Sequence, residues 1–148
     1  MTFDRDQFLP YRLAVTATQV SRMFEARYAQ EAGLSIPEWR VMAHLGAQGA
    51  VSIRDITLRV NLDKSVVSRA ASRLEGRGLI CKSANKEDLR LLSIELTEAG
   101  NVLMGRLGQI ATAFQAELMA ELGHDAGSIL RILSVLDAAA QKTLPAAD

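Results

Sequence analysis

The chain has 148 residues, with 17 Lys/Arg balanced by 17 Asp/Glu, one cysteine and only 5% aromatic residues. That length suits one domain, able to bury about 68–70% of its unfolded surface without a disulfide or metal staple. Cys81 alone excludes an intrachain disulfide framework and fits a reducing cytoplasm, no apolar run approaches the ~20 residues of a membrane span, and Met1-Thr2-Phe3-Asp4-Arg5-Asp6 is too charged for a signal peptide.

Residues 7–32 carry Leu13, Ala17, Val20, Phe24 and Tyr28 at steps of 4, 3, 4 and 4, the stripe of a long first helix. Gly33 supplies a left-handed stop. Ser35-Ile36-Pro37-Glu38 is a capping box with proline in the first turn, which predicts a second helix from about Ile36 to Leu45. Gly46 and Gly49 bracket the next connection, and Ser52-Ile53-Arg54-Asp55 opens a short third helix. Asp63 to Gly78 then reads as a fourth helix, with Asp63 as N-cap, Gly78 as stop and Val67, Ala70, Ala71 and Leu74 as its core face.

From Leu79 the period changes to two. Leu79–Ser83 and Leu92–Leu96 read as strands joined by a turn over Ala84–Leu89. Thr97 caps a fifth helix whose Leu103, Leu107, Ile110, Phe114, Leu118 and Leu122 lead to Gly123. A sixth uses Ile129, Ile132, Leu133, Leu136 and Ala140, and Leu144–Asp148 is expected to fray. The expectation is a mainly α chain with a small β-hairpin. The first, fifth and sixth helices lie far apart in sequence with unpartnered apolar stripes, for which a two-fold helical interface is the natural cover.

Neutral total charge hides an uneven distribution. Residues 54–90 hold nine Lys/Arg and five Asp/Glu, a net +4, against −4 for the rest. For a polyanion, the local field matters more than the sum. The fourth helix presents Ser65, Arg69, Ser72 and Arg73 opposite its apolar face, residue types suited to phosphate oxygens and guanine edges in a major groove. A polar turn holding Asp88-Leu89-Arg90 follows between the strands. A basic helix followed by a hairpin with a cation at its tip is the outline of a winged helix-turn-helix.

The segments Ile36-Pro37-Glu38-Trp39-Arg40-Val41, Asp63-Lys64-Ser65-Val66-Val67-Ser68-Arg69, Leu74-Glu75-Gly76-Arg77-Gly78-Leu79-Ile80, and Asp88-Leu89-Arg90 before Leu96-Thr97-Glu98-Ala99-Gly100 occur in this order. With them the chain resembles the MarR family of transcriptional regulators over roughly residues 8–142. The resemblance implies a single MarR-type chain over 1–148. It would contain a winged helix-turn-helix DNA-binding lobe at 34–98 and a helical dimerisation region built from the N- and C-terminal helices, 7–32 and 98–143. It further implies a homodimer on a palindromic operator in double-stranded DNA, usually a repressor of adjacent genes released by a small molecule. The expected location is the cytoplasm of a bacterium or archaeon, on the nucleoid. No catalytic role, cofactor or metal is implied.

Carried over residue by residue, Ser65, Val66, Arg69 and Arg73 match the groove-facing positions of the family's recognition helix. Arg90 matches the wing-tip arginine that enters the minor groove, and Asp88 the acid that positions it. Lys64, Ser68 and Ser72 complete the candidate DNA-binding set. The other role open to Arg69 and Arg73 is a surface pair with Glu75 or Asp88. Two departures stand out: the wing continues as Leu91-Leu92, and Val66 offers only apolar contact, suited to a thymine methyl.

The family's effector pocket lies between the dimerisation helices and the DNA-binding lobe, and Tyr11, Arg12, Phe24, Trp39, Met42 and His44 are the candidates for it. An aromatic wall with a cation suits an aromatic or phenolic carboxylate or its CoA thioester. Two rival readings are a winged-helix dimer acting as a protein-interaction module, and a redox sensor using Cys81 activated by Lys82. His44 and His124 lack partners at ligand spacing, so no metal site is expected, and no Gly-rich phosphate loop or nucleophile motif points to an enzyme.

Overall fold

The structure, a computed structural model, describes residues 2–144. After a single turn of 3₁₀ helix, α1 spans Leu9–Ala32, α2 Ile36–Gln48 and α3 Ile53–Val60, with β1 (Val51–Ser52) before α3. Then come α4 (Lys64–Gly76), β2 (Ile80–Ala84), β3 (Leu92–Leu96), α5 (Glu98–Leu122) and α6 (Ala126–Thr143). The chain divides into two compact units, 1–110 and 111–148. No helix among the described residues is long and apolar enough to cross a membrane.

Local chemistry sets the boundaries in the first unit. Gly33 adopts φ 62° and its N–H closes on the Ala29 carbonyl at 2.9 Å, ending α1. At the start of α2, Ser35 Oγ accepts from Glu38 N–H at 3.3 Å while Glu38 Oε2 accepts from Ser35 N–H at 2.7 Å, so two orphan donors are satisfied reciprocally. This helix runs three residues past the expected Leu45, because Gly46 lies inside it and faces the Met104 side chain. Gly49, at φ 74°, ends it instead. Asp63 stands at the N-cap of α4, but its side chain makes no capping hydrogen bond. The far end of α4 closes with Gly78 N–H on Glu75 O at 2.9 Å and Leu79 N–H on Leu74 O at 3.0 Å, the paired bonds of a Schellman motif.

The sheet has three strands in the order β1-β3-β2, all antiparallel. The expected hairpin pairs Ile80 with Leu96 and Ala84 with Leu92. The additional strand, Val51–Ser52 against Ile94 and Ser93, has only two residues and shows no period in the sequence. Thr97 caps α5 as expected: its Oγ1 accepts from Gly100 N–H at 3.1 Å and donates to Gly78 O at 2.6 Å.

Tyr28, Val41, Met42, Ile56, Val67, Leu74, Ile80, Ile94 and Leu107 form the fully buried centre of the first unit, placing α2, α3, α4 and the hairpin around one core. The stripe on α1 divides: Phe24 and Tyr28 are buried and Val20 is half-buried, whereas Leu13 and Ala17 are exposed, as are Leu9, Tyr11 and Val15 outside it. In the second unit Phe114 is buried, while Leu130, Ile132, Leu133 and Val135 of α6 are exposed. Leu144 N–H still closes on Ala140 O at 3.0 Å, and the rest of the tail expected to fray, residues 145–148, lies outside the described residues.

Candidate nucleic-acid interface

Helix α4 is held by its apolar face. Val67, Ala70, Ala71 and Leu74 are at most 1% exposed. Burying those four side chains fixes the rotation of the helix, and its other face follows from that: Lys64, Ser65, Arg69, Ser72 and Arg73 are exposed, with Val66 and Ser68 half-buried at the edges.

The cations on this face are held differently. Arg69 has no hydrogen-bond or ion-pair partner among the described residues. Arg73 does not pair with Glu75 or Asp88, as the sequence allowed. Its Nη1 reaches Glu38 Oε1 at 3.5 Å, using the carboxylate oxygen that the α2 cap leaves over. Glu75 instead faces Lys82 Nζ at 3.7 Å, and the same ammonium donates to Ser72 Oγ at 3.3 Å. Lys82 therefore ties the base of the hairpin to α4. Arg77 donates to the Ala32 carbonyl at 2.6 Å, satisfying an orphan acceptor at the end of α1. Sequence reading left Glu38, Lys82 and Arg77 outside the site; only the capping box marked Glu38, and it marked a local role.

The hairpin tip is built by two side chains. Asn85 Oδ1 accepts from the N–H groups of Glu87 and Asp88 at 2.9 and 3.0 Å, and its amide donates to Ser93 Oγ at 2.8 Å. Asp88 then takes three bonds from Arg90: the backbone N–H at 3.0 Å, Nε at 3.0 Å and Nη2 at 3.1 Å. Those guanidinium bonds, helped by the backbone bond and by the charge of Arg54, hold the Asp88 carboxyl below its ordinary range. Arg90 itself is pushed up by the same contact and keeps 88% of its side chain in solvent.

The six effector candidates do not gather into one place. Phe24 packs edge-on against Trp39 with centroids 4.9 Å apart, and both enclose Tyr28, which the sequence reading did not name for this role. Tyr28 stacks on Trp39 at 5.6 Å; its buried hydroxyl has no hydrogen-bond partner among the described residues, and burial, then Glu25, pushes it up to about 12. Met42 is core. His44 Nε2 is buried without a hydrogen-bond partner among the described residues, and burial, reinforced by Arg59 against the opposing pull of Asp55, keeps it below the usual histidine range. Tyr11 and Arg12 stand near the other end of α1, about 20 Å away at 1.5 Å per residue. There Arg5 covers the Tyr11 ring at 5.4 Å and Arg12 donates to the Asp6 carbonyl at 3.1 Å. Within one chain a small ligand cannot touch both sets.

Cys81 is exposed, and its thiol faces the Glu95 carboxylate at 3.8 Å, while the Lys82 ammonium is engaged by Ser72 and Glu75. Reactive cysteines sit in electropositive surroundings, and this one does not.

The MarR family model matches residues 34–92, the stretch from the loop before α2 to the start of β3. The transcriptional repressor IacR of Pseudomonas putida is 26% identical over 108 residues, covering 73% of this chain and 64% of its own length. MdtR, a transcriptional repressor of Bacillus subtilis, is 29% identical over 73 residues, 49% of this chain and 47% of its own. The chain thus spans about half to two thirds of the length of these curated relatives, which are regulators and not enzymes. A MarR family regulator from Silicibacter pomeroyi superposes with a TM-score of 0.79 at 27% identity, over 93% of this chain and 98% of that one. Residues 34–92 thus match the MarR family model, and over 93% of the chain the fold is that of a MarR family winged helix-turn-helix regulator.

Proposed function

We propose that this protein is a sequence-specific DNA-binding regulator that grips duplex DNA as a homodimer, with α4 in the major groove and Arg90 in the flanking minor groove. The observation that carries this reading is the division of α4. Its apolar face is fully buried, while Lys64, Ser65, Arg69, Ser72 and Arg73 are all turned to solvent. An exposed guanidinium locked at the wing tip supplies the second contact, and narrow minor grooves attract such a cation.

Residues 34–98 form the DNA-binding lobe in this reading, and 7–32 with 98–143 the dimerisation region. The exposed Leu13 of α1 and Leu130 and Leu133 of α6 are the surfaces a second copy would cover. Two recognition helices then sit one helical turn, about 34 Å, apart on a palindromic operator. The regulator acts as a repressor of adjacent genes and is released by a small aromatic acid or its thioester.

The test is a fluorescence-anisotropy titration with duplexes from its own upstream region across a salt series. The expected log–log slope is about −0.9 per phosphate neutralised. Failure to bind those duplexes at low salt, or sedimentation as a lone subunit, rejects the reading. Thermal-shift screening with phenolic acids and their CoA esters checks the effector class.

A further inference from the structure

The wing carries a feature that Arg90 does not explain. Leu89, between Asp88 and Arg90, is 80% exposed, more than any other large apolar side chain among the described residues. It does not sit on a loose loop. Leu91 N–H donates to Asp88 O at 3.0 Å, closing a turn with Leu89 and Arg90 at its two central positions. Asn85 N–H closes on Leu91 O at 2.9 Å beneath it. Asp88 clamps both the backbone and the side chain of Arg90, so the turn that presents Leu89 to solvent is braced by side-chain as well as backbone bonds.

We infer that Leu89 is a specificity-determining residue of the DNA interface, pressing on the minor-groove floor beside Arg90 and rejecting G·C pairs there. This rests on the DNA-binding reading above. The occupant follows from the neighbours: Arg90 lies next in sequence with its guanidinium in solvent, within a segment of net +4.

The two side chains divide the recognition chemically. The floor of an A·T pair offers only acceptors, adenine N3 and thymine O2, whereas a G·C pair adds the guanine N2 amino donor. Arg90 has five donors and no acceptor, so it can serve A·T acceptors and cannot receive the guanine amine. Leu89 has no polar atom at all. Pressed over a guanine it strips water from the amino group and returns nothing, and an unpaired desolvated donor is costly. Over A·T it removes water from a floor whose acceptors the adjacent guanidinium can satisfy.

The experiment uses the full-length protein and its bound duplex, with the base pairs under the wing located by the hydroxyl-radical protection that Arg90→Ala loses. Those pairs are then made A·T, G·C or inosine·cytosine, the last having a G·C-like major groove without the minor-groove amine. Wild type should bind the G·C duplex about tenfold more weakly than A·T and recover on inosine·cytosine. Leu89→Asn, whose amide oxygen can accept from the amine, should bring the difference to about twofold, while Leu89→Met keeps it. Because Leu89 is exposed, thermal melting should be unchanged in both. Equal wild-type binding to A·T and G·C, or a Leu89→Asn protein that discriminates like wild type, overturns the inference while leaving DNA binding intact. A wild type that binds no duplex at all instead overturns the reading beneath it.

Discussion

Glu38 and Arg73 lie 35 positions apart in sequence and meet at 3.5 Å, and the carboxylate that meets the arginine also closes the cap of α2. Glu38 is 5% exposed, whereas the Arg73 side chain keeps 58% of its surface in solvent. The two partners therefore differ in what they do. Losing the carboxylate leaves a partly buried Ser35 N–H unpaired, so Glu38→Ala should lower unfolding free energy by about 1–2 kcal/mol. An exposed arginine in a screened pair contributes little, and Arg73→Ala should change stability by less than about 0.5 kcal/mol while weakening DNA binding. Urea unfolding of both variants, with anisotropy titrations beside it, checks the contrast. Equal destabilisation would make Arg73 structural.

Arg69 stands on the exposed face of α4 without a hydrogen-bond or ion-pair partner among the described residues, so none of those contacts has to break before it reaches a base. Arg69→Ala should cost about 1–3 kcal/mol in operator affinity and relax preference at one position per half-site. Its unfolding midpoint should match wild type. Selection from random DNA with both proteins measures this, and an unchanged consensus would remove Arg69 from base readout.

Asp88 orders the wing by charge. Because Arg90 holds its carboxyl below the ordinary range, Asp88 is ionised throughout the neutral region. The clamp is fully present above the ordinary carboxylate value and is lost as pH falls through the lowered one. Asp88→Asn keeps an acceptor for the Arg90 N–H but removes the anion holding the guanidinium. Binding to nonspecific duplex should rise or stay level as one negative charge is lost, and binding to the operator should fall several-fold. The ratio of the two affinities is the measurement; a ratio equal to that of wild type removes the positioning role.

His44 makes stability pH-dependent. Burial keeps its folded value below the unfolded ~6.5, so the unfolded chain binds the proton more readily. Stability is complete above the unfolded value and declines as pH falls from there towards the folded one. Arg59 adds to the penalty on the protonated ring, and Asp55 partly offsets it. His44→Leu also removes a buried nitrogen that has no hydrogen bond among the described residues. It should flatten the loss between about pH 7.5 and 5.5 seen by urea unfolding of wild type. An identical slope in the variant would place the titration elsewhere.

Features written by neighbouring residues were legible in the sequence; those written by the fold were not. The Ser35–Glu38 box, the Gly78 stop and the Thr97 cap each depend on residues within a few positions, and each stands where the pattern put it. The face of α4 followed from a 3.6-residue period that one buried core enforces. By contrast β1 is too short to carry a period, and Gly46 reads as a break although Met104 packs against it inside a helix. The partners of Arg73 and Lys82 depend on how α2, α4 and β2 come together, and charge in a sequence carries no such address. Tyr28 belonged to an apolar stripe, and nothing local marked its hydroxyl as unpaired.

Gly100 offers a test of how α5 is seated on the wing lobe. A Cβ at this position would overlap the Leu79 carbonyl oxygen and crowd Leu96 Cδ2 at 3.3 Å. That carbonyl is not free to move, because it accepts the Thr97 N–H at 3.0 Å, and Thr97 in turn caps α5 through the Gly100 N–H. The added methyl therefore meets backbone that the helix start itself depends on, and relief requires shifting the first turn of α5 away from β2. Gly100→Ala should destabilise by about 1–3 kcal/mol, despite alanine's better helix propensity of about 1 kcal/mol. Gly105→Ala in the same helix meets nothing within 4 Å and should be neutral or stabilising. In thermal melts side by side, only Gly100→Ala is destabilised if close approach is the reason for the glycine, and neither is destabilised if propensity is.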